Sequence, residues 1–198
     1  MNLDLSDRQL EILQASGKIL MERGILGLTT KNLALEMKFS ESALYRHFKD
    51  KESIISNLIK YLSSNINERF ENIVNKNLSA EATLLELFKS QFYFFKTNPH
   101  FIVIVLSDGL IDNSENIKSE VLKLMQTNSK VYKTVVENGQ NTGIFVTEIS
   151  ASDLVHAIIG SFRLQMLKWK LSNFSFDIEI EGMKTMKNIL TLIKNKNG

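Results

Sequence analysis

One proline, Pro99, and nine glycines are spread over 198 residues, so the backbone seldom meets a residue that interrupts a helix. Apolar residues recur at helical spacing, and no stretch shows the sustained polar and apolar alternation of a half-buried strand. These features predict an all-helical protein, and the few breakers mark where the helices end.

Ser6 and Asp7 can cap a first helix whose apolar positions, Leu10, Leu13, Gly17 and Leu20, run to a stop at Gly24. Thr29 caps a short second helix, "TKNLALEM", and Ser40 a third, "ESALYRHF". Asp50 caps a fourth from Lys51 towards Asn75, through Ile54, Leu58, Leu62, Ile66, Phe70 and Ile73. Ser79 opens a helix that "TNPH" closes, and Asn98 caps the next with Pro99 at its first position. The stretch "SDGLIDNS" ends that segment. A long helix from Ser114 to about Asn138 follows, then the loop "GQNTGIF" and two amphipathic helices, for a total of nine. The "KNKNG" tail is expected to fray.

Several classes of protein are set aside by composition. Without cysteine there is no disulfide framework and no thiolate zinc site, which fits a reducing cytoplasm. The longest apolar run, "FIVIVL", is far short of the roughly 18 residues a membrane span needs. The N-terminus has no basic segment followed by an apolar core, so no secretory signal is expected. A net charge of +2 is too small for a general polyanion binder. Its distribution says more: between Arg23 and Lys51 lie six basic residues, Arg23, Lys31, Lys38, Arg46, Lys49 and Lys51, against three acidic ones, Glu36, Glu41 and Asp50.

That basic segment holds two short helices. Neither is long enough to be stable alone, and the join "KFS" between them makes a tight helix-turn-helix that must lean on the first helix. In such a unit the third helix enters a major groove about 12 Å wide, while its neighbours hold phosphates. Leu44 and Phe48, four residues apart, face inward and leave Ser42, Ala43, Tyr45, Arg46 and His47 on the other faces. Lys51 sits in the first turn of the fourth helix, where free backbone N–H groups favour an anion.

The segment "TTKNLALEMKFSESALYRHFKDKESI", preceded by "ILQASGKILMERG", resembles the DNA-binding signature of the TetR family of bacterial transcriptional repressors over about the first 55 residues. The resemblance implies a homodimer of nine-helix subunits. Residues 1–50 would form the DNA-binding domain and residues 51–198 a ligand-binding and dimerising domain, with helix 51–75 connecting them. By position, Thr29 and Thr30 would start the second helix against phosphate. Ser40, Glu41, Ser42 and Ala43 would face bases or nearby backbone; Tyr45, His47 and Lys51 would grip phosphates, and Arg46 would do either.

Two positions depart from the family pattern. Lys38 stands where the turn usually has glycine, so either the turn avoids positive φ or Lys38 accepts strain. Glu41 stands where Lys or Gln is common; its carboxylate repels phosphate, and it either accepts from cytosine N4 or stabilises the helix N-terminus.

No catalytic constellation is found. His100 and His156 lack metal-ligand spacing and read as structural, with His156 retained as a ligand candidate. "DIEIE" at 177 to 181 reads as the acidic start of a helix rather than a metal cluster, and Ser107-Asp108-Gly109 lacks the GxSxG elbow. No cofactor or metal is expected. Phe88, Phe92 and Phe95 follow helical spacing and either fill a core or, with Phe101, Val105, Tyr132, His156 and Arg163, line a mainly apolar ligand pocket. Val155, Ile158, Ile159, Phe162, Met166 and Trp169, with Met183, Met186, Leu190 and Ile193, are expected at a homodimer interface of four helices.

The function this supports is a DNA-binding repressor released from a pseudo-palindromic operator by a small apolar ligand. The alternatives are a DNA-bound factor controlled by a protein partner, or a helical enzyme that has recruited the fold.

Overall fold

A computed structural model describes residues 5–107 and 113–195. The described residues form nine helices: α1 Asp7–Gly27, α2 Thr30–Met37, α3 Glu41–Leu44, α4 Lys51–Val74, α5 Ala80–Thr97, α6 His100–Val105, α7 Glu115–Asn141, α8 Ala151–Leu171 and α9 Ile178–Ile193. There is no strand among them, only one isolated antiparallel bridge between Phe145 and Lys194. Most of "SDGLIDNS" and the end of the "KNKNG" tail lie outside the described residues, as do Asp108 and Gly109.

The caps read at Ser6, Thr29, Ser40, Asp50 and Ser79 are present. Ser6 and Gln9 form a reciprocal capping box at α1, and the Asp50 carboxylate accepts from the Ser53 N–H at 2.7 Å to start α4. Ser79 and Ser114 accept from the backbone N–H groups of Ala82 and Ile117 at the starts of α5 and α7. Asp177 caps α9 by accepting from the N–H groups of Glu179 and Ile180, and the Lys96 ammonium bridges Asp177 at 2.8 Å and Glu179 at 3.0 Å.

Some boundaries differ from expectation. Gly24, at φ 63° and ψ −168°, does break the regular helix, but a further turn follows to Gly27. The third helix is α-helical only over Glu41–Leu44; beyond it, Arg46 and His47 donate to carbonyls three residues back, a tighter turn that short helices commonly adopt. Pro99 occupies the cap position of α6 in place of Asn98, so the helix starts at His100, one residue later than expected.

The chain divides into two compact units, Met1–Asn65 with Asn98–Leu124 and Ile66–Thr97 with Met125–Gly198. In the first, Ile12, Leu20, Leu33, Leu44, Phe48, Ile55 and Leu58 form a buried core. There α6 rests against α1 at Gly17, where a Cβ would come within 3.0 Å of the His100 ring. In the second unit, α9 packs against α5 and α8. Gly182 makes this possible, since a Cβ there would lie 2.5 Å from the Phe92 ring.

Candidate nucleic-acid interface

The helix-turn-helix is held by local hydrogen bonds and by its apolar face. Leu33, Leu44 and Phe48 are all buried. The turn is closed by Lys38 in the left-handed region, φ 56° and ψ 41°, with Phe39 N–H donating to the Ala34 carbonyl at 2.8 Å and Lys38 N–H to Leu35 at 3.2 Å. This is the Schellman arrangement, in which glycine is usual, so Lys38 carries the strain that the sequence left open. Gln9 reaches from α1 to the His47 carbonyl at 3.2 Å, which fixes the end of the α3 segment.

Ser40, Glu41, Ser42, Tyr45 and Arg46 are exposed, and Ala43 and His47 are partly so. Ser40 accepts from the Ala43 N–H at 3.2 Å, and its hydroxyl lies 2.9 Å from that of Ser42. On α2, the Thr29 hydroxyl is taken up as the helix cap, accepting from Asn32 at 3.1 Å. Thr30 points across to α3 and donates to Glu41 Oε2 at 2.8 Å. Lys51 is half-buried and donates to the Ile25 carbonyl at 3.0 Å, a carbonyl left available by the end of α1 at Gly27; burial lowers its pKa. The ammonium keeps two further hydrogens for a phosphate. The Lys51 and Thr30 contacts were not foreseen, because each joins residues distant in sequence.

The residues grouped as ligand contacts do not all come together. Phe88, Phe92, Phe95 and Tyr132 lie in the second unit, where Phe162 joins them. Centroids are 5.1 Å apart for Phe88–Tyr132 and Phe92–Phe162, 5.8 Å for Phe88–Phe162 and 6.3 Å for Phe95–Phe162. His156 and Arg163 are exposed on α8. Phe101 and Val105 belong to the first unit, where Phe101 stacks on Tyr61 at 6.2 Å beside a recess of about 110 Å³ lined by Leu10, Leu13, Tyr61 and His100. A polar group that pattern reading overlooked is Arg69. It donates to Ser90 at 2.6 Å and Gln91 at 2.8 Å, lies over the Phe94 ring, and burial pushes its pKa down to about 10. Its place three residues after Ile66, on the inward stripe of α4, was the available signal.

The expected dimer residues need the same correction. Val155, Ile158, Met166, Trp169, Met186, Leu190 and Ile193 are buried inside the subunit; Ile159, Phe162 and Met183 are partly so. The more continuous apolar stripe of a helix turns to its own core first. Left exposed on α8 is a second stripe, Ala157, Gly160, Leu164, Leu167 and Leu171, at alternating spacings of three and four.

A short helix presented beside a capped partner helix, on a buried three-helix base, defines a helix-turn-helix protein. Residues 12–58 match the model for bacterial regulatory proteins of the tetR family, and residues 81–182 the tetracyclin repressor-like C-terminal domain. The chain belongs to the TetR family of DNA-binding transcriptional regulators. It is similar to the HTH-type transcriptional regulator YerO of Bacillus subtilis, 24% identical over 160 residues that span 77% of this chain and 55% of that protein. The nucleoid occlusion factor SlmA of Aliivibrio fischeri is 25% identical over 171 residues, 86% of this chain and 87% of SlmA. Among solved structures, the regulator FadR of Bacillus subtilis in complex with stearoyl-CoA shares the fold with a TM-score of 0.80 at 14% identity, covering 93% of this chain and 98% of FadR.

Proposed function

We propose that this regulator is a cytoplasmic homodimeric repressor that reads a pseudo-palindromic operator through α3 and leaves it when a small, mainly apolar molecule binds. It acts without catalysis. Residues 1–50 read DNA and residues 51–198 bind the ligand and dimerise. The observation that carries the reading is the division of the α3 segment: Leu44 and Phe48 are buried while Ser42, Tyr45 and Arg46 stand exposed. Tyr45, Arg46, His47 and Lys51 would hold phosphates, and Ser42 and Ala43 would meet base edges. No described helix is long and apolar enough to cross a membrane.

For dimerisation we assign the exposed α8 stripe, with Leu164 58%, Leu167 36% and Leu171 73% exposed, together with Ile180 and Leu192 of α9. Two copies of this helix pair make a four-helix interface, and the reading helices then lie roughly 34 to 36 Å apart. Sedimentation should give a dimer for the native chain and a monomer for Leu164→Glu with Leu167→Glu; a native monomer at micromolar concentration refutes the dimer.

Apolar ligand control draws support from the aromatic cluster of the second unit and from Arg69 and Gln91 as polar contacts. A coupling of about 1 to 3 kcal/mol between ligand and operator suffices. The close ring packing of Phe88, Phe92, Tyr132 and Phe162 favours a second reading, control by a protein partner, because a small ligand would have to part those rings. Thermal-shift screening of apolar compounds, followed by operator binding with each hit, separates the two: a hit that weakens DNA binding supports the ligand, and no hit supports the partner.

A further inference from the structure

We propose that Glu41 is a specificity-determining residue that reads a cytosine in each half-site by accepting a hydrogen bond from its N4 amino group, with Thr30 as the positioning residue. This deepens the DNA-reading role of α3 proposed above.

Glu41 is the first residue of α3, exposed, and its Oε2 accepts from the Thr30 hydroxyl at 2.8 Å. That bond ties the first residues of α2 and α3 together. It also turns the carboxylate away from the N–H groups of its own helix. A glutamate that served its own helix by hydrogen bonding would turn onto that helix's free N–H groups. Here the Ser40 hydroxyl serves Ala43 N–H and the Glu41 carboxylate reaches across to α2 instead. A glutamate side chain is costly to immobilise, and the Thr30 bond holds it in one arrangement before DNA arrives.

The chemistry then selects the base. An ionised carboxylate only accepts hydrogen bonds, and a charged group on a protein that grips phosphates is useful only where it meets a donor. In the major groove guanine offers two acceptors, thymine an acceptor and a methyl group, and adenine an acceptor beside its donor; cytosine alone offers a donor without an acceptor. Oε1, and the remaining lone pair of Oε2, have no other hydrogen-bond partner among the described residues and are free to receive it.

The test is selection of bound sequences from random duplex DNA, repeated with Glu41→Ala, Thr30→Val and Thr30→Ser. The native chain should select a sequence with an invariant cytosine at one position of each half-site. Replacing that cytosine with N4-methylcytosine, whose methyl group takes the place of the major-groove hydrogen, should weaken native binding about tenfold. Glu41→Ala should lose both the preference and the sensitivity to N4-methylation. Thr30→Val should lose most of the discrimination, and Thr30→Ser should retain it, an outcome that loss of a phosphate contact alone would not produce. A selected sequence whose preferences are the same in Glu41→Ala overturns the inference alone. No selected sequence for the native chain overturns the DNA-reading role, and the inference with it.

Discussion

Acid should destabilise the first unit through one residue, His100. Its ring lies against Gly17 of α1 and beside Phe101, with ring centroids 4.3 Å apart, and burial pushes its pKa down to about 4. In the unfolded chain the same imidazole titrates near its ordinary value of about 6.5. Between those values the unfolded state binds the proton and the folded state refuses it, so stability rises with pH across the window. His100 therefore contributes stability that is present above about pH 6.5 and lost as pH falls towards about 4. Protonation linkage puts the loss between about pH 7 and pH 5 at about 2 kcal/mol, approaching about 3 kcal/mol at lower pH. The assay is urea unfolding of the native chain and His100→Gln across that range. Their stability curves should converge or cross as pH falls, the native chain losing about 2 kcal/mol more than the variant by about pH 5. Parallel curves would refute the reasoning, because they would mean that the imidazole reaches water in the folded state.

Lys51→Ala should reduce the magnitude of the slope of log K against log salt by about 0.9, as one phosphate contact is lost. It should also lower stability by about 1 kcal/mol in urea unfolding, as the Ile25 carbonyl loses its donor; an unchanged slope would remove Lys51 from the phosphate contacts. Lys38→Gly should raise stability by about 1 kcal/mol in the same assay, since glycine adopts the left-handed turn without strain. Gly182→Ala should cost about 1 to 3 kcal/mol, measured by thermal unfolding, because its Cβ meets the Phe92 ring.

Helix positions were legible because their signals are local. Ser6, Asp50, Ser79 and Ser114 each cap a backbone N–H three residues away, a distance the sequence states directly. The inward face of the helix-turn-helix was legible for the same reason, Leu44 and Phe48 being one turn apart. Periodicity says that a helix has an apolar face but not what lies against it. Hence Val155, Ile158 and Met166 read as a dimer surface although the subunit buries them itself, and the weaker stripe ending in Leu171 escaped notice. Contacts that join distant residues, Lys51 with Ile25 and Thr30 with Glu41, follow from how α4 packs on α1 and α3 on α2, and no local pattern announces them. The tightening of α3 after Leu44 was hidden too, because "ESALYRHF" has helical spacing throughout and the loss of regular bonds at its end depends on what the turn must reach.

That two copies read two half-sites together is tested by the affinity and stoichiometry of the selected duplex before and after insertion of about 5 base pairs between its half-sites. Insertion turns one half-site by about half a helical turn, away from the second reading helix. Two chains should bind the native duplex at a fixed ratio, and insertion should cost at least tenfold in affinity. A single chain bound to one half-site, with affinity indifferent to the insertion, would contradict it.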